Sequence, residues 1–347
     1  MAMPLALGQE SPSKTETGTF LFHDSHFHLT NYVQEGSDIQ DFLKIMDDKV
    51  GRSMLCGIPL QQQWMHASSG DSAPTYYTHS DAPLYYYSFT DAFIAMTYRS
   101  LTPEQQARFD PMITGFNPTD MYAADHIRRV LATFPGVFSG IGEFSIHKEF
   151  VSSKVAGEVA TVNNKALDRI LAFAGEVGLP VVFHCDVDMP FPGPNQDPYL
   201  VMKLKDLFRR HPNTVIIWAH IGLGRVVRPP ENQLEMVKRI LTSPDLQHVC
   251  FDISWDETAK YLVKTPKTTK VTADVINRFP ERFLFGTDTV APSSQQQYME
   301  PYKIYSDLFV ELTPKAKMML LKGNYERIFD EARQRVRAWE KANVHGR

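Results

Sequence analysis

Short apolar runs alternate along the chain with segments of helical periodicity. Eight runs are rich in valine, isoleucine and phenylalanine and are bounded by Gly, Pro or Asn, which is typical of buried strands. These runs cover residues 19–23, 53–58, 111–116, 137–141, 180–183, 215–219, 248–253 and 282–285. Between them, apolar residues recur every three or four positions, which predicts amphipathic helices at residues 123–133, 164–177, 200–210 and 235–241.

This alternation predicts an α/β protein with the (β/α)₈ TIM-barrel fold. A strand followed by a helix, repeated eight times over 347 residues, gives the length expected of such a barrel. A doubly wound open sheet is the structural alternative, but no glycine-rich dinucleotide loop follows the first strand. We therefore expect a single barrel domain over residues 19–347, preceded by a disordered or processed tail at residues 1–18.

Two segments depart from the regular spacing. Residues 60–110 form a long insertion after the second strand, with Trp64 near its start and a predicted helix at residues 91–99. Insertions after barrel strands build lids and substrate pockets, and a packed surface excursion is an equal alternative. Residues 314–338 predict a C-terminal helix that closes the outer ring.

Composition narrows the class of partner. An apolar share of 43% and a charged share of 22% are those of a globular protein with a real core. The net charge of −4 gives no reason to expect nucleic acid or an acidic membrane, and no apolar window is long enough to span a bilayer. Three sparse cysteines favour a reducing, cytoplasmic location over a disulfide scaffold, and an exported origin with a removed leader is the alternative.

Four of the apolar runs end in side chains that bind metals. His26 and His28 follow the first, His184 the fifth, His220 the sixth and Asp288 the eighth. His26 and His28 are two residues apart, so on a strand both imidazoles point to the same side. Each histidine alone is more often a satisfied core residue, and an Asp in this place is often a helix cap. Together at the carboxyl ends of barrel strands, they predict convergence on one metal ion.

Three imidazoles and a carboxylate suit Zn²⁺, with Mn²⁺, Fe²⁺ and Co²⁺ as alternatives. Such a set leaves an open position for water, whose pKa the metal lowers from about 15.7 towards about 7. Asp288 is the candidate to accept the proton of that water, and His220 is the candidate to polarise the substrate or protonate a leaving group.

Glu143, in the run Gly140-Ile141-Gly142-Glu143, leaves the number of ions open. A carboxylate at the end of the fourth strand could bridge two ions, with His184 and His220 holding the second. The alternative is a carboxylate that orients ligands or binds substrate. From the sequence alone, we favour one ion with Glu143 beside it.

The ordered set of motifs resembles the amidohydrolase superfamily of metal-dependent TIM barrels. These motifs are the HxH pair, Gly-x-Gly-Glu, the two later histidines and Gly286-Thr287-Asp288. The branch that includes aminocarboxymuconate semialdehyde decarboxylase is the most similar, on residues 320–329, and the resemblance covers about residues 20–329. It implies that His26, His28, His184 and Asp288 bind a divalent metal and that His220 acts as an acid or base. It leaves the reaction and a homo-oligomeric state open.

The function expected from these residues is metal-dependent hydrolysis of a small carbonyl compound: an amide, lactone or ester. Decarboxylation of an unsaturated carboxylic acid at the same site is the first alternative, and a catalytically silent metal-holding protein is the second. Arg225 could grip an anionic substrate group, while Trp64, Asp252 and Trp255 could line the pocket. The expected partner is a small molecule, not nucleic acid or membrane.

Overall fold

The apolar runs of the sequence form strands of one curled parallel sheet. The computed structural model describes residues 20–30, 36–58, 89–147, 161–187, 197–225 and 233–344. Within these, the strands are β1 (Phe22–Asp24), β2 (Phe27–His28), β3 (Val50–Leu55), β4 (Phe109–Ile113), β5 (Gly140–His147), β6 (Val181–Cys185), β7 (Ile216–Trp218), β8 (Val249–Asp252), β9 (Phe283–Leu284) and β10 (Thr289–Val290).

The sheet follows the order of the chain and returns to its start. Its eight strands pair in parallel in the order β1-β3-β4-β5-β6-β7-β8-β9. The ladder between β10 and β2, with Thr289 opposite Phe27, joins the continuations of the last and first strands. The Ser25 N–H also donates to the Phe285 carbonyl over 3.2 Å. The predicted TIM barrel is therefore confirmed.

Helices surround the sheet at most of the predicted positions. They are α1 (Ile39–Met46), α2 (Thr90–Arg99), α3 (Pro103–Gln106), α4 (Ala123–Thr133), α5 (Lys165–Val177), α6 (Tyr199–Arg210), α7 (Gln233–Leu241), α8 (Asp256–Leu262), α9 (Pro266–Arg278), α10 (Gln295–Tyr298), α11 (Glu300–Ile304), α12 (Ser306–Glu311), α13 (Pro314–Met318) and α14 (Asn324–Asn343). Short 3₁₀ turns lie at Ala219–Gly222, Pro244–Leu246 and Pro280–Arg282. None of the helices in these described ranges is long and apolar enough to cross a membrane.

Two boundaries differ from the sequence prediction. The strand predicted at residues 137–141 lies further on, at Gly140–His147, so Glu143 stands inside it rather than at its end. The pairing of β5 with β6 shifts register between Ile141 and Phe144, an irregularity that an apolar pattern does not encode. The helix predicted at 314–338 is split by a π turn at Met319–Gly323. After that turn, the Asn324 amide donates to the Phe283 carbonyl over 2.7 Å and so ties α14 to β9.

The core has two apolar parts. The larger lies between strands and helices and includes Phe22, Phe27 and Tyr298. The smaller fills the barrel, with alternate strand residues such as Met54 and Val182 meeting Tyr325 and other residues at the start of α14. The first turns of α14 therefore close the amino-terminal end of the barrel. All three cysteines are buried and free, and the cytoplasmic location stays a prediction.

A buried ion network lies at this closed end. Asp110 is fully buried and accepts from Arg52 Nη2 over 2.8 Å, from the Tyr325 hydroxyl over 2.8 Å and from Arg333 Nε over 2.6 Å. Burial raises the pKa of Asp110, but the two guanidinium groups outweigh it and leave that pKa below its usual value. We call Arg52, Asp110, Tyr325 and Arg333 the amino-end network.

Candidate metal centre

At the opposite end of the barrel, the predicted metal-binding side chains meet. Donor atoms of one set all lie within 4.8 Å of one another, and this set is His26, His28, Glu143 and Asp288. Donor atoms of a second set obey the same limit, and this set is Glu143, His184 and His220. The structure thus brings together all six side chains that the sequence singled out, and Glu143 belongs to both sets.

His26 and Asp288 lie where the first and last barrel strands are interrupted, His26 between β1 and β2 and Asp288 between β9 and β10. The backbone N–H of Asp288 donates to the His26 carbonyl over 2.7 Å. Asp288 adopts a φ of 52°, a left-handed conformation that a non-glycine residue takes only when its surroundings impose it. Gly286 is required because a Cβ there would lie 2.6 Å from the His26 backbone nitrogen.

The Glu143 carboxylate lies between two pairs of imidazoles. Its Oε2 is 3.5 Å from His26 Nε2 and 3.2 Å from His28 Nε2. Its Oε1 is 2.8 Å from His184 Nδ1 and 3.7 Å from His220 Nε2. The two oxygens of one carboxylate therefore face different imidazole pairs, and Glu143 is shared between the two donor sets.

The Asp288 carboxylate lies across the same space. Its Oδ1 is 3.3 Å from His26 Nε2 and 3.2 Å from His28 Nε2. Its Oδ2 is 3.7 Å from His220 Nε2. With a side chain 10% exposed, Asp288 has more exposure than the other members of the first set.

The outer nitrogens of His26 and His28 are held by the protein. His26 Nδ1 lies 2.5 Å from Asp252 Oδ2, and His28 Nδ1 lies 3.4 Å from the Gly57 carbonyl. A proton on each Nδ1 satisfies these acceptors and leaves Nε2 as the lone-pair nitrogen that faces the carboxylates. Such outer partners fix the ring orientation and tautomer of metal-binding histidines.

His184 and His220 are oriented in the same way. His184 Nε2 lies 2.5 Å from Asp186 Oδ1, which leaves its Nδ1 towards Glu143. His220 Nδ1 lies 3.0 Å from the Ser254 hydroxyl, which leaves its Nε2 towards the centre. His220 has a φ of 56°, so the chain turns sharply where β7 ends and presents this ring inward.

Two buried nitrogens show that the centre fits a divalent metal. The Nε2 atoms of His26 and His220 have no hydrogen-bond partner among the described residues, although both rings are fully buried. Buried polar atoms are rarely left without a partner, and a bound ion is one of the accepted explanations. The donors are imidazole nitrogens and carboxylate oxygens, which suit Zn²⁺, Mn²⁺, Fe²⁺ and Co²⁺.

The electrostatics of the protein itself favour positive charge here. Burial lowers the pKa of His26, but Asp288, Asp252 and Glu143 outweigh it and raise that pKa well above its usual value. Burial likewise opposes and Asp288 reinforces protonation of His28, whose pKa is raised. Protons and a metal cation therefore compete for the same nitrogens.

The pKa values of His220 and Asp288 are lowered instead of raised. Burial lowers the pKa of His220 and so favours the neutral imidazole. Burial raises the pKa of Asp288, but the charge interactions with His26 and His220 outweigh burial and leave that pKa below its usual value, so this carboxyl is ionised at neutral pH. A neutral imidazole and an ionised carboxylate are the forms that bind metals.

The residues predicted to contact substrate lie in different places. The Trp255 ring centre is 4.9 Å from that of His220, so Trp255 borders the candidate metal centre. The Arg225 guanidinium lies 5.2 Å from the Trp255 ring centre, and its Nε donates to Glu257 over 3.2 Å. Trp64 lies outside the described residues. Asp252 is fully buried behind His26 and orients that ring, a role that the sequence interpretation missed.

Asp186 and Ser254 were also missed. A signal for Asp186 existed, because it follows His184 by two residues at the end of a strand and so shares its side. No comparable signal marks Ser254, whose role depends on the turn after β8.

Comparison with known proteins identifies the family. The sequence model described as "Amidohydrolase" matches residues 24–330. The chain therefore belongs to the amidohydrolase family, and the resemblance drawn from the motifs is confirmed. This family is metal-dependent, in agreement with the donor set described above. A search of curated proteins finds no significant match.

Solved structures share the fold at low identity. The 2,6-dihydroxybenzoate decarboxylase from Rhizobium is 16% identical, with a TM-score of 0.54 over 90% of this chain and 99% of its own. A candidate 2-pyrone-4,6-dicarboxylic acid hydrolase from Pseudomonas putida is 13% identical, with a TM-score of 0.52 over 90% and 98%. An amidohydrolase from Burkholderia multivorans, with bound zinc, is 13% identical, with a TM-score of 0.52 over 89% and 99%. At these identities the likeness concerns the fold alone.

Proposed function

We propose that this protein is a metal-dependent hydrolase of a small carbonyl compound: an amide, a lactone or an ester. The observation that carries the proposal is the placement of two carboxylates among four inward-facing imidazoles. Glu143 lies between the imidazole pairs, and Asp288 borders them with Oδ2 directed towards His220. This arrangement supplies both metal ligands and a base beside them.

The two donor sets support one assignment of the ligands. His26, His28, Glu143 and Asp288 would hold one divalent ion, and His184 and His220 would hold a second that shares Glu143. Zinc is the expected ion, and manganese, iron and cobalt suit the same donors. When bound, the metal supplies Lewis acidity and water activated at neutral pH, because it lowers the pKa of its water towards about 7.

Asp288 is the proposed proton acceptor. Its carboxylate is ionised at neutral pH, and it has more exposure than the other members of the first set. As water adds to the substrate carbonyl, Oδ2 of Asp288 takes the proton and then returns it to the leaving oxygen or nitrogen. The hydrogen bond from its backbone N–H to His26 keeps this carboxylate in place.

The role of His220 depends on the number of ions. In a centre with two ions, its Nε2 would be a ligand. In a centre with one ion, the same Nε2 would lie free beside Asp288 Oδ2, at 3.7 Å, and would act on the substrate carbonyl instead. The sharing geometry of Glu143 favours two ions. Trp255, next to His220, would then form a wall of the substrate pocket.

The function is tested with metal-reconstituted protein and a panel of small lactones, amides and esters. We expect turnover with incorporation of ¹⁸O from labelled water. Asp288→Asn should reduce kcat by about 100- to 10,000-fold, the usual contribution of a positioned base. The matched control is Asp307→Asn, which changes an exposed carboxylate on α12 and should leave turnover unchanged.

Other outcomes point to the alternatives. Release of carbon dioxide from an unsaturated carboxylic acid, without ¹⁸O incorporation, would replace hydrolysis by decarboxylation. Tight metal binding without turnover on either panel would indicate a protein that only holds metal. Full activity in Asp288→Asn would contradict the assignment of the base.

A further inference from the structure

Asp24, at the end of β1, is fully buried and lies outside both donor sets. Its carboxylate accepts four hydrogen bonds. Oδ1 accepts from the backbone N–H of His26 over 3.1 Å and of Thr287 over 2.8 Å. Oδ2 accepts from the Thr287 hydroxyl over 2.7 Å and from the Tyr298 hydroxyl over 2.8 Å. One oxygen thus binds backbone and the other binds side chains.

Two of the three donor residues come from the segments that carry the proposed metal ligands. His26 is a ligand itself, and Thr287 immediately precedes the ligand Asp288. The third donor, Tyr298, belongs to α10 and packs against Phe27, between the two histidines of the HxH motif, with ring centres 5.6 Å apart. A single carboxylate therefore connects the first strand, the last strand and a helix behind them.

The segments joined in this way are irregular. β1 ends at Asp24 and the chain resumes strand structure only at β2, while β9 ends at Leu284 and resumes at β10. Across these gaps the regular ladder is missing, so buried N–H groups need other acceptors. Asp24 supplies the acceptor for two of them, those of His26 and Thr287.

We propose that Asp24 is a positioning residue of the metal centre, whose carboxylate sets the distance between the His26 ring and the Asp288 carboxylate. This inference rests on the proposed metal centre. Asp24 belongs to neither donor set. It acts through the backbone of the two ligand segments and so keeps His26 Nε2 and Asp288 Oδ1 3.3 Å apart.

The chain offers a matched comparison for this role. Asp110 is also a fully buried aspartate of a barrel strand with several donors, but its donors are Arg52, Tyr325 and Arg333 at the other end of the barrel. A purely structural aspartate should behave like Asp110. A positioning residue should change metal binding as well as stability.

The experiment titrates metal-free protein with Co²⁺, whose visible absorption reports the ligands and their geometry. Asp24→Asn is expected to weaken Co²⁺ binding by about 10- to 100-fold, as removal of a group behind a metal ligand typically does, and to shift the visible bands. Asp110→Asn is expected to lower the free energy of unfolding and leave Co²⁺ affinity and bands unchanged.

Two milder variants keep the test valid if Asp24→Asn does not fold. Thr287→Val and Tyr298→Phe each remove a hydroxyl donor to Oδ2 without altering the ligands. Both should weaken Co²⁺ binding in the direction of Asp24→Asn. Thr287→Val should have the larger effect, because Thr287 adjoins Asp288 and its hydroxyl also accepts from the Thr289 N–H over 3.2 Å.

The inference is overturned if Asp24→Asn folds and loses stability but binds Co²⁺ with wild-type affinity and spectrum. If Asp24→Asn does not fold, the same result for Thr287→Val and Tyr298→Phe overturns it. A different result marks the failure of the proposed function. A wild-type protein that binds no Co²⁺ would remove the metal centre, and this inference with it.

Discussion

The two ends of the barrel both bury charged side chains, but they satisfy them differently. At the amino-terminal end, both oxygens of Asp110 contact donors from the protein: Arg52, Tyr325 and Arg333. At the carboxyl-terminal end, carboxylates and imidazoles crowd together, and the Nε2 atoms of His26 and His220 have no hydrogen-bond partner among the described residues. The first network is closed, whereas we propose that a cation from outside completes the second.

The difference separates stability from function within one fold. Removing one partner of a buried ion pair destabilises a fold because the other charge stays buried without a counter-charge. Tyr325 and Arg333 of this network belong to the closing helix α14, so their bonds to Asp110 hold α14 against β4. We expect the imidazoles and carboxylates at the other end to raise the free energy of unfolding only once a metal is bound.

Arg52→Met should produce the largest effect on stability. The substitution removes a guanidinium that pairs with Asp110 and leaves that carboxylate buried. Breaking a buried pair in this way costs about 3–5 kcal/mol. Chemical denaturation should show this decrease in the free energy of unfolding, while the metal content stays at the wild-type value. Arg209→Met is the control, because Arg209 and its partner Asp245 are 43% and 50% exposed and such solvent-exposed pairs contribute little to stability. Equal losses in the two variants would contradict the role of the amino-end network.

Metal should stabilise the other end. Zn²⁺ at about 100 times its Kd should raise the free energy of unfolding by about 2.7 kcal/mol per site. His28→Ala should lose most of this gain, since His28 is a donor of the first set. His248→Ala should keep it, because His248 contacts the Phe208 carbonyl far from the donor sets. Thermal and chemical unfolding with and without Zn²⁺ measure the difference, and an identical response in both variants would argue against the site.

Asp252→Asn should have a smaller effect that is confined to the metal centre. Asp252 accepts from His26 Nδ1, and its replacement should weaken metal binding about 10- to 100-fold, or about 1.4–2.7 kcal/mol. Isothermal titration with Zn²⁺ gives the affinity. Asp197→Asn, at a carboxylate that pairs with Lys205 and Arg239, is the control and should bind Zn²⁺ as the wild type does. Unchanged affinity in Asp252→Asn would show that the His26 orientation does not depend on this carboxylate.

The smallest expected effect concerns acid. The folded-state pKa of Asp110 is below its ordinary value, so the unfolded chain binds the proton more readily. The stability that Asp110 contributes is present above about pH 4 and is lost as the pH falls through that value towards the folded pKa. Urea unfolding of metal-free protein between about pH 3 and 6 should show a shallower pH dependence in Asp110→Asn than in the wild type. Parallel curves for the two proteins would exclude this contribution.

The sequence predicts the barrel and the membership of its centre because both follow from local patterns. An apolar run that ends in His184 or Asp288 is visible without any knowledge of the rest of the chain. In a parallel barrel the carboxyl ends of all strands lie at one rim, so such endings must approach one another. That geometry needs no side-chain detail.

The partners behind the ligands could not be predicted in this way. The contact between His26 and Asp252 joins residues 226 positions apart, and it depends on the rotation of two side chains rather than on the strand pattern. The extension of β5 past Glu143 depends on a register shift against β6. Asp24 reads locally as a strand-end aspartate, and its four donors become visible only when the first and last strands meet.

The central claim is that Glu143 is shared between two cation positions. It is tested most directly by metal analysis of purified, reconstituted protein, with the wild type measured beside Glu143→Gln. The geometry predicts two ions per chain in the wild type and one in Glu143→Gln, because His184 and His220 lose the carboxylate oxygen that completes their set. One ion in both proteins, or none in the wild type, would contradict it.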